Sequence, residues 1–155
     1  MTNTRFPDQV WAACGLEEVI LDGNKLDAFP DQPPAFAPVI RILSLNRNKF
    51  RTAPEWIGQC PRLVQLSIQA NEIKEVPRAC ALNALPHLRH VSFGQNQITS
   101  FPECFSIYQQ EEEGEIGNRS ESQQLFFPSL RRLNLSNNFI QGMPEGCTID
   151  RPRER

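Results

Sequence analysis

Leu16-Glu17-Glu18-Val19-Ile20-Leu21-Asp22-Gly23-Asn24-Lys25-Leu26 decides the fold. Apolar residues occupy its first, fourth, sixth and eleventh slots, and an asparagine fills the ninth. The segment closes three residues later on Phe29-Pro30. Inside it, Val19-Ile20-Leu21 is the span where side chains would alternate between two faces of a strand.

The same slots return four more times. The second copy has Ile40, Leu43, Leu45, Asn48, Phe50, Ala53 and Pro54. The third has Leu63, Leu66, Ile68, Asn71, Ile73, Val76 and Pro77. The fourth has Leu88, Val91, Phe93, Asn96, Ile98, Phe101 and Pro102. The fifth has Leu130, Leu133, Leu135, Asn138, Ile140, Met143 and Pro144. The asparagines are 24, 23, 25 and 42 residues apart, so a period near 24 is broken once. A fixed period of this length marks a solenoid, in which each turn buries its apolar side only against its neighbours.

The pattern resembles the leucine-rich repeat family over roughly residues 6–147. Its period and its closing hydrophobic-Pro pair are similar to the intracellular class of Ras-pathway scaffold proteins and plant intracellular leucine-rich repeat proteins. The resemblance implies an α/β solenoid, a segment of a right-handed horseshoe. A short parallel β-sheet would line the concave face, and irregular, extended or single-turn helical legs the convex one. Copies running the same way predict parallel pairing, with the return leg crossing on the other side.

One domain is expected over 1–155, with a partial repeat or cap over 1–15 and four repeats over 16–108. An acidic, flexible insertion follows over 109–124. The fifth repeat and part of a return leg cover 125–147, and a charged tail 148–155. The insertion reads QQEEEGEIGNRSESQQ and has little that could pack. Ser120 and Ser122 lie among its glutamates as potential phosphate acceptors. In the cap, Trp11 is the expected lid over the first repeat. Pro33, Pro34 and Pro38 predict an extended first return leg. Three residues after the closing prolines, Val10, Ile57, Cys80, Phe105 and Cys147 fill another apolar slot.

Asn24, Asn48, Asn71, Asn96 and Asn138 form the expected structural ladder, because a side-chain amide offers donors and an acceptor where the chain bends. The residues between the buried leucines face solvent on the concave side and supply the candidate partner-binding set. It comprises Glu18, Asp22, Ile42, Asn46, Arg47, Gln65, Gln69, His90, Gln95, Arg131, Arg132 and Asn134. The face is acidic at the first repeat and basic at the last. At about 4.8 Å per strand it spans roughly 20–25 Å.

Composition bounds the function. The chain has 155 residues and a net charge of −2, which argues against nucleic acid or an anionic membrane as partner. No apolar run reaches the length of a membrane span. Five cysteines without a Cys-x-x-Cys pair, and no leader-like start, point to a reduced, cytoplasmic setting, the nucleus included. His87 and His90 are the only histidines, no phosphate loop occurs, and no metal, cofactor or small-molecule substrate is expected. The expected function is a non-catalytic protein–protein interaction module that binds a protein partner on the concave face, in intracellular signalling. The alternative is the substrate-recruiting or regulatory part of a larger enzyme such as a ubiquitin ligase or kinase.

Overall fold

A computed structural model describes residues 5–76, 82, 85–100 and 129–141. Five three-residue strands form one parallel sheet in sequence order: β1 Glu18–Ile20, β2 Ile42–Ser44, β3 Gln65–Ser67, β4 His90–Ser92 and β5 Arg132–Asn134. The register is unbroken. Val19, Leu43, Leu66, Val91 and Leu133 stand side by side across the sheet. The 42-residue step between the last two asparagines leaves this alignment intact.

The repeated apolar slots build one core. Ile40, Leu63 and Leu88 lead into the strands, and Leu45, Ile68 and Phe93 leave them; all six are buried. Phe50, Ile73 and Ile98 close the layer behind the asparagines. Each fully buried aliphatic or aromatic side chain contributes about 1.5–3 kcal/mol relative to an exposed one. Burial falls off in the outer repeats, where Leu16, Leu21, Leu130, Leu133 and Leu135 are only partly covered. That follows from stacking, since a turn is covered only by its neighbours.

Helix α1 spans Asp8–Trp11 and follows Phe6, which is buried. Trp11 is half-buried and meets Phe6 edge-on with ring centres 4.9 Å apart. It also meets Trp56 at 5.4 Å and Phe36 at 6.1 Å. Phe29 stacks flat on Phe50 at 4.1 Å. The first two return legs are therefore held together by an aromatic cluster, and Trp11 covers one flank of it. Such geometries add about 0.5–1.5 kcal/mol per pair beyond area burial.

The first return leg corrects the expectation of an extended segment. Residues 35–39 are wound into turns: the Ala37 amide donates to the Pro34 carbonyl, and those of Val39 and Ile40 to that of Phe36, all at 3.0 Å. Proline removes a donor but not an acceptor, and its fixed φ suits a turn. The winding carries Phe36 into full burial. In the second leg, Pro54 leads into a 3-10 helix, Glu55–Gln59, which seats Ile57 and Trp56 in the core. The apolar slots Cys80, Phe105 and Cys147, the acidic insertion and the charged tail lie outside the described residues.

Candidate functional site

Each asparagine occupies the bend that ends a strand. Asn48 accepts the Leu26 amide at 3.1 Å and donates to the Leu21 carbonyl at 2.9 Å, both in the repeat before it. Asn71 does the same for Phe50 and Leu45 at 3.1 and 3.0 Å. Asn96 serves Ile73 and Ile68 at 3.1 and 2.9 Å, and Asn138 serves Ile98 and Phe93 at 3.0 and 2.9 Å. Asn48, Asn71 and Asn96 are buried and Asn138 is half-buried. Asn24 is exposed and bonds only within its own turn, to the Leu21 and Asp22 carbonyls.

The residue before each asparagine is left-handed. Gly23, Arg47, Ala70, Gln95 and Asn137 have φ between 53° and 71°. Only glycine adopts this region without strain, and the others cost about 1–2 kcal/mol each. The turn imposes that conformation, and the asparagine bonds offset its cost. Among the five, Gly23 and Asn137 are the residue types that announce it.

On the solvent face of the sheet a second chain of polar bonds runs across the first three repeats. One Asp22 carboxylate oxygen accepts from the Ser44 hydroxyl and the Asn46 amide, both at 2.8 Å. The Asn46 side-chain oxygen repeats the arrangement one repeat later, accepting from the Ser67 hydroxyl at 2.8 Å and the Gln69 amide at 2.7 Å. This corrects the reading that every residue between the leucines faces solvent. Ser44 and Ser67 are buried beneath their polar neighbours, at 8% and 7% exposure. The chain then stops. Gln69 is one methylene too long to repeat the contact and instead donates to Ser67 at 3.3 Å. The buried Ser92 hydroxyl oxygen has no hydrogen-bond partner among the described residues.

At this break lies a cavity of about 300 Å³, lined by Gln65, Gln69, His90, Ser92, Arg132 and Asn134, with Leu66, Ser67 and Val91 as its floor. A second hollow of about 420 Å³ sits at the turn edge between Asp22, Asn46, Arg47, Gln69, Ala70 and Gln95. The two hollows gather nine of the twelve sequence candidates. Glu18 and Ile42 stand on β1 and β2, in the row that continues through Gln65, His90 and Arg132. Arg131 is exposed immediately before β5.

The candidates divide by what their polar groups already do. Asp22 and Asn46 are engaged by the chain itself, and the Asn134 oxygen accepts from the Ser136 amide and hydroxyl at 3.0 and 2.7 Å. Gln65, His90, Arg47, Gln95, Arg131 and Arg132 form no side-chain hydrogen bond or ion pair among the described residues. There, the ion pair seen is Arg51–Glu72 at 3.6 Å, away from this face.

Two arginines escaped the sequence reading. Backbone bonds link Glu17, Arg41, Val64, Arg89 and Arg131 as successive rungs just before the strands: each amide donates to the carbonyl of the one before at 2.7–2.9 Å. Arg41 and Arg89 thus share a column with Arg131. The signal was available as the slot seven residues before each asparagine.

Cys14 is an exposed free thiol, and Cys60 is buried. Burial alone pushes the Cys60 thiol up to about 12, and its sulfur contacts the Trp56 carbonyl at 3.8 Å. It is a core side chain, not a nucleophile. No three His, Cys, Asp or Glu side chains converge as metal ligands among the described residues, and no described helix is long and apolar enough to cross a membrane.

A short-stranded parallel sheet with an asparagine row at its bends defines a repeat solenoid. The comparisons agree. A family model described as Leucine Rich Repeat matches residues 129–148. Mouse (Mus musculus) epiphycan is 28% identical over 106 residues, covering 66% of this chain and 30% of epiphycan. A leucine-rich repeat protein of Acanthamoeba polyphaga mimivirus is 30% identical over 127 residues, covering 81% of this chain and 27% of the viral protein. The chain belongs to the leucine-rich repeat family, and it spans about three tenths of the length of these curated relatives.

Proposed function

We propose that the chain is a non-catalytic module that binds a protein partner on the concave, solvent face of its sheet. One observation carries this reading: the face presents a polar cavity ringed by side chains that the fold does not use, above all Gln65, His90 and Arg132. Folding has no need of them, and binding does. The family supports an interaction role in general, and the free groups supply its location. The free thiols of Cys14 and Cys60 suit a reducing compartment, which favours a cytoplasmic or nuclear setting over a secreted one.

Affinity capture from host lysate tests the reading. The parent is compared with an Arg47→Glu/Arg132→Glu variant and with Lys74→Glu, which alters an exposed residue outside both hollows. Captured proteins should be lost with the double reversal and kept with Lys74→Glu. Identical capture by all three would refute a sheet-face site.

A further inference from the structure

We infer that the β4–β5 end of the sheet face docks an acidic peptide segment of the partner, seating Asp or Glu side-chain carboxylates between Arg89, Arg131, Arg132 and His90. The inference rests on the interaction reading above and adds the chemistry of the partner.

The placement of the arginines carries it. Arg89 and Arg131 are adjacent rungs of one column, and His90 and Arg132 are adjacent positions in the next row. Strand spacing puts their backbones about 4.8 Å apart. Three guanidinium groups and an imidazole therefore crowd over two repeats. None of them has a hydrogen bond or ion pair among the described residues. Glu17, Glu18 and Asp22 stand three strands away, about 14 Å, beyond the screening length of roughly 8 Å at physiological salt. Asp22 is also spent on Ser44 and Asn46. Like charges held this close with no counter-charge beside them among the described residues repel one another, and an incoming carboxylate relieves that repulsion. Arginine adds directional, bidentate pairing.

The cavity beside them sets the size of the guest. At about 300 Å³ it takes one or two side chains, and no acidic residue lines it among the described residues. Gln65 and Gln69 supply amides that both donate and accept, as a peptide backbone requires. A nucleic acid fits less well. The positive patch covers only two strands, and a strand of phosphates continuing along the sheet would run onto Glu17 and Glu18. A peptide with its acids at one end and neutral or basic residues at the other matches the whole face and is oriented by it.

The test is panning of a phage-displayed library of random twelve-residue peptides on the full chain. Enriched peptides are then synthesised with a fluorescent label and an amidated C-terminus for anisotropy titration. The enriched set should hold clusters of Asp or Glu. Arg89→Glu/Arg132→Glu should weaken binding about tenfold or more, and raising the salt should weaken it as well. All three arginines are exposed and have no side-chain partner among the described residues, so the reversal should not lower the urea midpoint, a check made in parallel. Peptides without an acidic excess, or equal binding by the double variant, overturn the inference. If such peptides are still lost on Gln65→Trp, which blocks the cavity, the sheet-face reading survives and only the acidic assignment falls. If neither change matters, or no peptide is enriched, both fall. Binding only by free-C-terminus peptides, or tighter binding of a labelled single-stranded DNA, also overturns the side-chain carboxylate assignment.

Discussion

Replacing Asn71 by leucine isolates what the asparagine row contributes, because the two side chains have the same number of heavy atoms and branch at the same carbon, so no cavity results. Three bonds are lost, and they are not equivalent. The Leu45 carbonyl keeps the Asn48 side chain as a donor at 3.1 Å, and the Gln69 carbonyl keeps the Arg47 amide at 2.9 Å. The Phe50 amide loses the Asn71 oxygen, its acceptor at 3.1 Å in a buried setting. An orphaned buried donor costs about 1–3 kcal/mol, and the two weakened carbonyls add about 0.5 kcal/mol each. The expected loss is about 2–4 kcal/mol, or roughly 6–12 °C in melting temperature for a chain of this size. Asn24→Leu is the matched control. That side chain is exposed, serves no amide of another repeat, and should change stability by less than about 0.5 kcal/mol. Urea titration followed by circular dichroism and by the fluorescence of Trp11 and Trp56 reads both. Equal losses at the two positions, or an Asn71→Leu midpoint matching the parent, would refute the argument that the row works by satisfying its neighbours' backbones.

Gln69→Asn should continue the outer polar chain, giving Ser92 the acceptor that Asn46 gives Ser67; a gain of about 0.5–1.5 kcal/mol in urea unfolding is expected. Gly23→Ala should lose about 1 kcal/mol in the same assay, because a Cβ there meets nothing within 4 Å and only the backbone at φ 71° objects. Iodoacetamide labelling at pH 8, read by peptide mass mapping, should modify Cys14 and spare Cys60 until the chain is unfolded. The Cys60 thiol titrates near 9.0 when unfolded and at about 12 when folded, so its contribution to stability is intact below pH 9. From there toward pH 12 the unfolded chain ionises first, and stability falls as the pH rises. Cys60→Ala should flatten that part of the pH profile.

The core was readable because one periodic rule governs it. Slots such as Ile40, Leu43, Leu45 and Phe50 depend only on position within a turn, and position is what a repeat displays. Other features depend on pairs of neighbouring turns. Ser44 and Ser67 look like surface serines until Asp22 and Asn46 are set beside them at the right length. Phe36 joins Trp11 and Trp56 in the aromatic cluster because the first return leg winds at residues 35–39, and its three prolines suggested otherwise. Cys60 sits in an apolar slot eleven residues before its asparagine, shared with Ala13, Ala37 and Leu85, that was passed over, and the left-handed turns show in the sequence only at Gly23 and Asn137. In the candidate site, the row through Gln65, His90 and Arg132 followed from strand alternation. Arg89 and Arg41 precede the strands, where alternation has not yet begun, and they were passed over.

The two halves of the sheet face have divided the work between them. Over β1 to β3, acceptors of the right length, Asp22 and Asn46, bind the serines and backbone of the next repeat, so those polar groups stabilise the stack and are unavailable to a guest. At β4 the pairing fails: Gln69 overshoots, Gly94 brings no side chain, and Ser92 is left without a partner among the described residues. An unpaired buried hydroxyl costs about 1–3 kcal/mol, so the break is a real loss to the fold. Its return is a cavity and unspent Gln65, His90 and Arg132 beside it. Stability and recognition thus compete for the same polar residues. Gln69→Asn puts that competition to the proof, since the change that mends the chain of bonds also withdraws the Gln69 amide from the cavity. A variant both more stable and tighter in binding acidic peptides would show that the two roles are independent.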